Sequence, residues 1–148
     1  MTDPEALGEA LDLADRAQVL MLTTLDGNGY PETRAMLAMG HDALNEFWFS
    51  TNTSSHKVAQ IQADVRACVY VVDDGNFQRL SLVGRVEVRQ DPATKERFWR
   101  EGFEKYYPQG VTDPDYAVLR FTAERGEYYH GLRTAAFDLR SDEGKSHG

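Results

Sequence analysis

The feature that most constrains this chain is the succession Val19–Leu25, Asp26-Gly27-Asn28-Gly29 and Tyr30–Met39. Val-Leu-Met-Leu-Thr-Thr-Leu is apolar on both faces, the pattern of a covered central strand. The Asp-Gly-Asn-Gly that follows enters left-handed backbone conformations at little cost and is a strong hairpin signal. The chain returns at once as a second strand, turns over Gly40–Asn45, and runs out as a third strand, Glu46–Thr51. Parallel strands need a crossover between them, usually a helix. These three have none, so a parallel nucleotide-binding sheet is excluded and the sheet is antiparallel.

The rest of the chain extends this plan. Asp3-Pro4 is a cap with proline at the first helical position, and Leu7, Ala10, Leu11 and Ala14 recur at helical spacing up to about Ala17. A second helix is expected from Ser54 to Ala63. A fourth strand covers Val65–Val72 and ends at the turn Asp73-Asp74-Gly75-Asn76. A fifth, Phe77–Gln90, alternates Val86 and Val88 with Arg85, Glu87 and Arg89, and Gly84 within it marks a bulge or bend. Asp91-Pro92 starts a third helix, with Phe98, Trp99, Phe103 and Tyr106 along one side. Tyr116–Thr122 and Glu127–Leu132 read as a closing hairpin. The expectation is a mainly β (α+β) domain over residues 1–140: a six- to seven-stranded antiparallel barrel, Greek-key-like, with about three peripheral helices. Residues 141–148 form a polar tail expected to be disordered.

Charge and cysteine content narrow the function. The 148 residues carry 24 acidic and 16 basic side chains, a net charge of -8, so non-specific nucleic-acid binding through a basic face is not expected. No apolar run approaches membrane-spanning length, and the polar N-terminus is unlike a secretory signal. Cys68 is the single cysteine and lies in an apolar run, so it is read as an inert core thiol. A cytoplasmic protein is expected. His41, His130 and His147 have no partners at ligand-like spacing, so no metal is assigned.

Against this acidic background Phe47–Ile61 stands out. An aromatic strand runs into a hydroxyl-rich turn, which becomes the first turn of a helix carrying His56 and Lys57. Free amides, the positive end of the helix dipole, hydroxyls and a lysine meet there, which is how a chain builds a phosphate site. A phosphate monoester carries about -1.5 to -2 charges near neutral pH, so Arg34 and Lys57 together would roughly neutralise it. Arginine supplies a bidentate fork and lysine a point charge. The competing reading of Arg34 is an ion pair with Glu32, two residues away on the same strand face. Trp48 and Phe49 are read as barrel core, and Phe98, Trp99 and Phe103 as core or subunit interface.

Ser50-Thr-Asn-Thr-Ser-Ser-His-Lys57, with Arg34-Ala-Met-Leu37 before it and Val83-Gly84 after it, closely resembles the FMN-binding split barrels of the pyridoxamine 5'-phosphate oxidase-like superfamily. Tyr107-Pro108-Gln109-Gly110 and the short length are most similar to its general stress protein 26 branch, and the likeness runs from about Ala10 to Arg133. The resemblance implies FMN at a homodimer interface. Arg34 would contact the flavin phosphate or ring edge, and the backbone around Met36 and Leu37 would face the isoalloxazine. Ser50 and Thr51 would lie against the ring and ribityl chain, and Ser55, His56 and Lys57 would hold the phosphate. Gln78 or Arg79, slightly favouring Arg79, would reach the ring from the partner, with Tyr129 near it. His56 replaces an arginine of some relatives, so phosphate affinity is expected to fall as pH rises.

Two departures bear on activity. Pyridoxamine phosphate oxidases place a substrate-phosphate lysine where this chain has Met39, and they end in an arginine-containing segment where this chain has Phe137-Asp-Leu-Arg140. Three readings stand: an FMN-dependent oxidoreductase acting on a small molecule or a nicotinamide donor, a non-catalytic flavin-binding stress protein, and a barrel that binds the deazaflavin F420 or haem.

Overall fold

The computed structural model describes residues 3–140. The tail 141–148, with His147, lies outside them. In chain order the elements are α1 (Asp3–Arg16), β1 (Val19–Leu25), β2 (Pro31–Leu37), β3 (Gly40–Asp42), β4 (Glu46–Asn52), α2 (His56–Ala63), β5 (Arg66–Asp73), β6 (Gln78–Arg89), α3 (Pro92–Phe98), β7 (Tyr116–His130) and β8 (Arg133–Asp138). All strand pairs are antiparallel, in the order β2-β1-β5-β6-β7-β4-β3, with β8 beside the second half of β7. The Met39 N–H donates to the Trp48 carbonyl at 3.0 Å, so the segment leaving β2 meets β4 and curls the sheet toward a barrel.

The hairpin signal folds as expected. Asp26 is the anchor: its carboxylate accepts from the amides of Asn28 (2.8 Å) and Tyr30 (2.9 Å), while Gly29 takes a φ of 83°. Gly84 also has a steric reason to be glycine. A Cβ there would sit 2.0 Å from the Thr122 carbonyl oxygen. The pairing shifts register at this point, Val83 facing Arg125 and Gly84 facing Ala123, so the extra residue, Glu124, belongs to β7.

Several details differ from the sequence expectation. The stripe of α1 that packs on the barrel is Ala6, Ala10, Leu13 and Ala14, whereas Leu7 is 39% exposed. The expected turn after β2 contains the short strand β3, paired with β4. Tyr116–Thr122 and Glu127–Leu132 lie in one long strand, because a bulge, unlike a turn, lets the strand continue through Ala123–Gly126; the closing hairpin is made with β8 across Gly131. α3 stops at Phe98, and Gly102 (φ 96°) opens a separate single turn of helix, so Phe103 and Tyr106 are not on α3. The described residues form eight strands where six or seven were expected.

The main core fills the barrel with side chains such as Leu20, Leu22, Phe47, Phe49, Val69, Leu80, Leu82, Phe121 and Tyr128. A second cluster gathers Met39, Trp48, Phe98, Tyr107, Tyr116 and Val118, with Trp99 and Phe103 against it. β1 is covered on one face only. Val19 (52%), Met21 (37%), Leu37 (51%) and Val72 (49%) make an exposed apolar strip across β2, β1 and β5. Cys68, expected in the core, is half-buried on that outer face, with Ser81 Oγ 3.8 Å away.

Candidate functional site

Four elements meet where α2 begins. β4 delivers Thr51, β2 delivers Arg34, β1 delivers Thr24, and α2 carries Lys57 and Gln60. The turn between β4 and α2 is held from a distance. Asp115 accepts from Thr53 Oγ1 (2.9 Å) and from the Ser54 amide (3.0 Å), while the Thr53 amide donates to the Asp115 carbonyl (2.8 Å). These bonds fix where the first amides of α2 point.

Ser55 occupies the N-cap position but makes no capping bond, and its Oγ is buried without a hydrogen-bond partner. Caps of this type normally accept from an amide of the first turn, and a buried orphan hydroxyl is costly. Ser55 Oγ and the uncapped first turn thus converge with their hydrogen-bonding capacity unused.

The cations there are uncompensated as well. Lys57 Nζ donates to Thr51 Oγ1 at 3.0 Å, and no carboxylate among the described residues pairs with it. Burial and then the neighbouring Arg34 charge push the Lys57 pKa below the usual lysine range. Arg34 donates to Thr24 Oγ1 (2.6 Å), to Gln60 Oε1 (3.3 Å) and to the Leu22 carbonyl (3.4 Å), all neutral acceptors. Its pKa is lowered by burial, an effect Glu32 opposes. The expected alternative, an Arg34–Glu32 ion pair, does not form: the Glu32 carboxylate accepts from Gln60 Nε2 at 2.6 Å instead. Two positive side chains share a half-buried space with neutral partners, an arrangement that favours an added anion.

The other predicted residues distribute as follows. His56 is exposed at the first position of α2. Ser50 projects to the opposite face of β4 from Thr51, beside the Tyr116 phenol, as strand alternation requires. Met36 is buried in the core, whereas Leu37 faces outward. The choice between Gln78 and Arg79 is sharp in geometry. Gln78 is 7% exposed and locked between Tyr128 OH (2.7 Å) and Arg16 (2.9 Å), while Arg79 is exposed on the outer face, paired in register with Val72 and Tyr129. Tyr129 is half-buried there and donates to Glu127 at 2.8 Å. Arg34, Thr51, Ser55 and Lys57 therefore form one group at the barrel mouth, and Leu37, Arg79 and Tyr129 lie on the outer sheet face.

Sequence reasoning missed Thr24, Gln60 and Asp115. Gln60 was recoverable, since it lies three residues from Lys57 and shares its helix face. Asp115 has no local signal. Its role exists only because β7 pairs with β4, placing Asn52 opposite Tyr116. A cavity of about 620 Å³ lies elsewhere, between the β3–β4 hairpin and the bulge. Its Arg85, Arg120 and Arg140 are already ion-paired, with Glu124, with Glu46 and Glu87, and with Asp138 respectively, so it offers no comparable charge. Among the described residues no three His, Cys, Asp or Glu side chains converge as a metal site would need, and no helix is long and apolar enough to cross a membrane.

None of the curated proteins matches this chain in sequence. A solved structure from Clostridium acetobutylicum, described as related to general stress protein 26 of B. subtilis in the pyridoxinephosphate oxidase family, is 42% identical, with 95% of this chain and 99% of that one covered and a TM-score of 0.83. General stress protein 26 from Bacillus anthracis has the same fold at 16% identity, covering 93% and 100%, with a TM-score of 0.71. So does a haem-binding protein from Mycobacterium smegmatis, at 18% identity, covering 95% of this chain and 61% of that one, with a TM-score of 0.75. Residues 5–139 match the family described as "Pyridoxamine 5'-phosphate oxidase like". With the barrel, the helix-start motif and 42% identity to a stress-protein-26 relative in agreement, the chain belongs to the pyridoxamine 5'-phosphate oxidase-like family.

Proposed function

We propose that this protein is a cytoplasmic FMN-binding oxidoreductase that works as a homodimer. The observation that carries the reading is the pair of cations, Arg34 and Lys57, with neutral hydrogen-bond partners alone among the described residues, beside the orphaned Ser55 hydroxyl at an uncapped helix start. A phosphate monoester would satisfy all of them. It would relieve Lys57 of the charge repulsion from Arg34 and give Ser55 Oγ an acceptor. His56 adds an exposed donor at the same helix end.

The apolar strip on the outer face favours the dimer. Four large apolar side chains in register across three strands suit coverage by a second copy, and the same face carries Arg79 and Tyr129. In that arrangement Arg79 would be the residue to contact a flavin held by Arg34 and Lys57 of the other copy. Bound flavin would supply hydride and electron transfer, so this chain's own contribution is to bind, orient and shield. The substrate is a small molecule or a nicotinamide donor. Pyridoxamine phosphate is disfavoured, because Met39, in the place of a substrate-phosphate lysine, is 8% exposed and packed among aromatic rings.

The absorption spectrum of the purified protein tests the reading. A flavin spectrum, bleaching with NADH or NADPH and turnover with an added acceptor support it. A flavin spectrum without turnover leaves a stress-related flavin carrier, and retention of F420 or haem with rejection of FMN replaces the cofactor. An Arg34→Ala/Lys57→Ala protein that folds and stays yellow refutes the site.

A further inference from the structure

The Arg34–Glu32 pair that does not form is the informative feature of this site. Elsewhere in the chain three arginines pair with a carboxylate two residues away: Arg66 with Asp64 (2.7 Å), Arg89 with Glu87 (3.1 Å) and with Asp91 (2.9 Å), and Arg140 with Asp138 (3.5 Å). Arg85 instead pairs with Glu124, and Glu127, two residues from Arg125, accepts from Tyr129. Glu87 and Arg89 pair within a strand, the setting that Glu32 and Arg34 share on β2. Alternation puts Glu32 and Arg34 on one face, so nothing in the backbone keeps them apart.

What separates them is one amide. Gln60 Oε1 accepts from Arg34 (3.3 Å) and from Thr24 Oγ1 (2.6 Å), and Thr24 Oγ1 in turn accepts from Arg34 (2.6 Å). Gln60 Nε2 donates to Glu32 at 2.6 Å. The amide can point only this way, because a flip would set its N–H₂ against the guanidinium and its oxygen against the carboxylate. A neutral group with an acceptor on one side and a donor on the other thus stands between two opposite charges.

We propose that Gln60 is an insulating positioning residue: it holds Glu32 away from Arg34, so the guanidinium keeps its direction and its N–H groups for an anion at the start of α2. The proposal rests on the phosphate reading above and adds a selectivity element to it. Removing the amide lets the carboxylate fold onto Arg34 and compete with the ligand phosphate for the same N–H groups.

The test uses Gln60→Leu, Glu32→Gln and the double variant in the full chain, with FMN affinity read from quenching of flavin fluorescence. Riboflavin, which lacks the phosphate, is the control. Gln60→Leu is expected to weaken FMN binding about fivefold, the scale of a partly exposed ion pair gained by Glu32, and to leave riboflavin binding unchanged. Adding Glu32→Gln is expected to restore FMN affinity to within about twofold of wild type, since a neutral side chain cannot compete. A purely structural role for Gln60 gives equal losses for both ligands and no rescue, which overturns the proposal. A crystal structure of ligand-free Gln60→Leu supplies a readout without flavin. A Glu32–Arg34 approach within ion-pair distance supports the insulator, and Arg34 left on Thr24 with Glu32 apart refutes it. Failure of the wild-type protein to bind FMN would fall on the phosphate reading, and the crystal structure would still decide the role of Gln60.

Discussion

Replacing Lys57 by Met separates ligand binding from folding. Among the described residues the Lys57 side chain makes one polar contact, 3.0 Å to Thr51 Oγ1, and its charge is disfavoured by burial and by Arg34. The substitution therefore loses one hydrogen bond, about 1 kcal/mol, and removes a desolvated cation, which offsets part of that loss. Net stability should change by less than about 1 kcal/mol, or roughly 2–4 °C in melting temperature for a chain of this size. A bound phosphate, by contrast, loses a charge-assisted hydrogen bond of about 1.5–3 kcal/mol, which is roughly 10- to 150-fold in Kd. At FMN equal to 100 times the wild-type Kd, binding stabilises the wild type by about 2.7 kcal/mol, and a variant with 10- to 100-fold weaker affinity by only about 1.4 to 0.4 kcal/mol. Differential scanning fluorimetry with and without FMN, repeated with riboflavin, reads all three quantities. Equal weakening of FMN and riboflavin would place Lys57 away from the phosphate. A large loss of stability without ligand would show that Lys57 is a structural residue instead.

Three further outcomes follow from the same geometry. Met21→Glu puts charge into the exposed strip beside Val19 and Val72, and is expected to give a monomer by sedimentation velocity while far-UV circular dichroism stays unchanged; a persistent dimer assigns the interface elsewhere. Gly84→Ala forces a Cβ to within 2.0 Å of backbone and should cost at least about 3 kcal/mol in urea unfolding, or prevent folding, because backbone cannot retreat as a side chain tip can. Asp91, the cap of α3, is held at about 2 by the Thr94 hydroxyl and amide. A carboxyl lowered by folding stabilises fully above its unfolded value of 3.8, and the contribution disappears as pH falls through about 2. Asp91→Ala should therefore melt below wild type at pH 7, with the two curves converging toward pH 2.

Much of the architecture was written locally. The Asp26–Gly29 hairpin, the Asp91-Pro92 cap, the aromatic β4 and the strand-to-helix turn at Ser50–Lys57 depend on residues near one another in the chain, so composition and spacing were enough to place them. The family likeness was legible for the same reason, since its motif is a continuous segment. Where local signals are ambiguous, long-range pairing decides the structure. Ala123–Gly126 is charged and glycine-containing like a turn, yet ladders with β6 on both sides of Glu124 keep the strand running. The aromatic residues after Phe98 have helical spacing, but the backbone turns extended at Trp99 and ends that helix, and tertiary packing on Tyr116 collects Trp99 and Phe103.

The sequence by itself determined an antiparallel barrel with a cationic, hydroxyl-lined helix start, because hairpin chemistry, strand alternation and helix termini are short-range properties. Only the tertiary structure decided that Arg34 bonds to neutral acceptors and not to Glu32, that Gln60 stands between the two, that Asp115 holds the turn before α2, and that Arg79 rather than Gln78 faces outward. Each of those outcomes depends on which strand lies beside which and in what register, and a long-range pairing leaves no mark on the residues immediately around it.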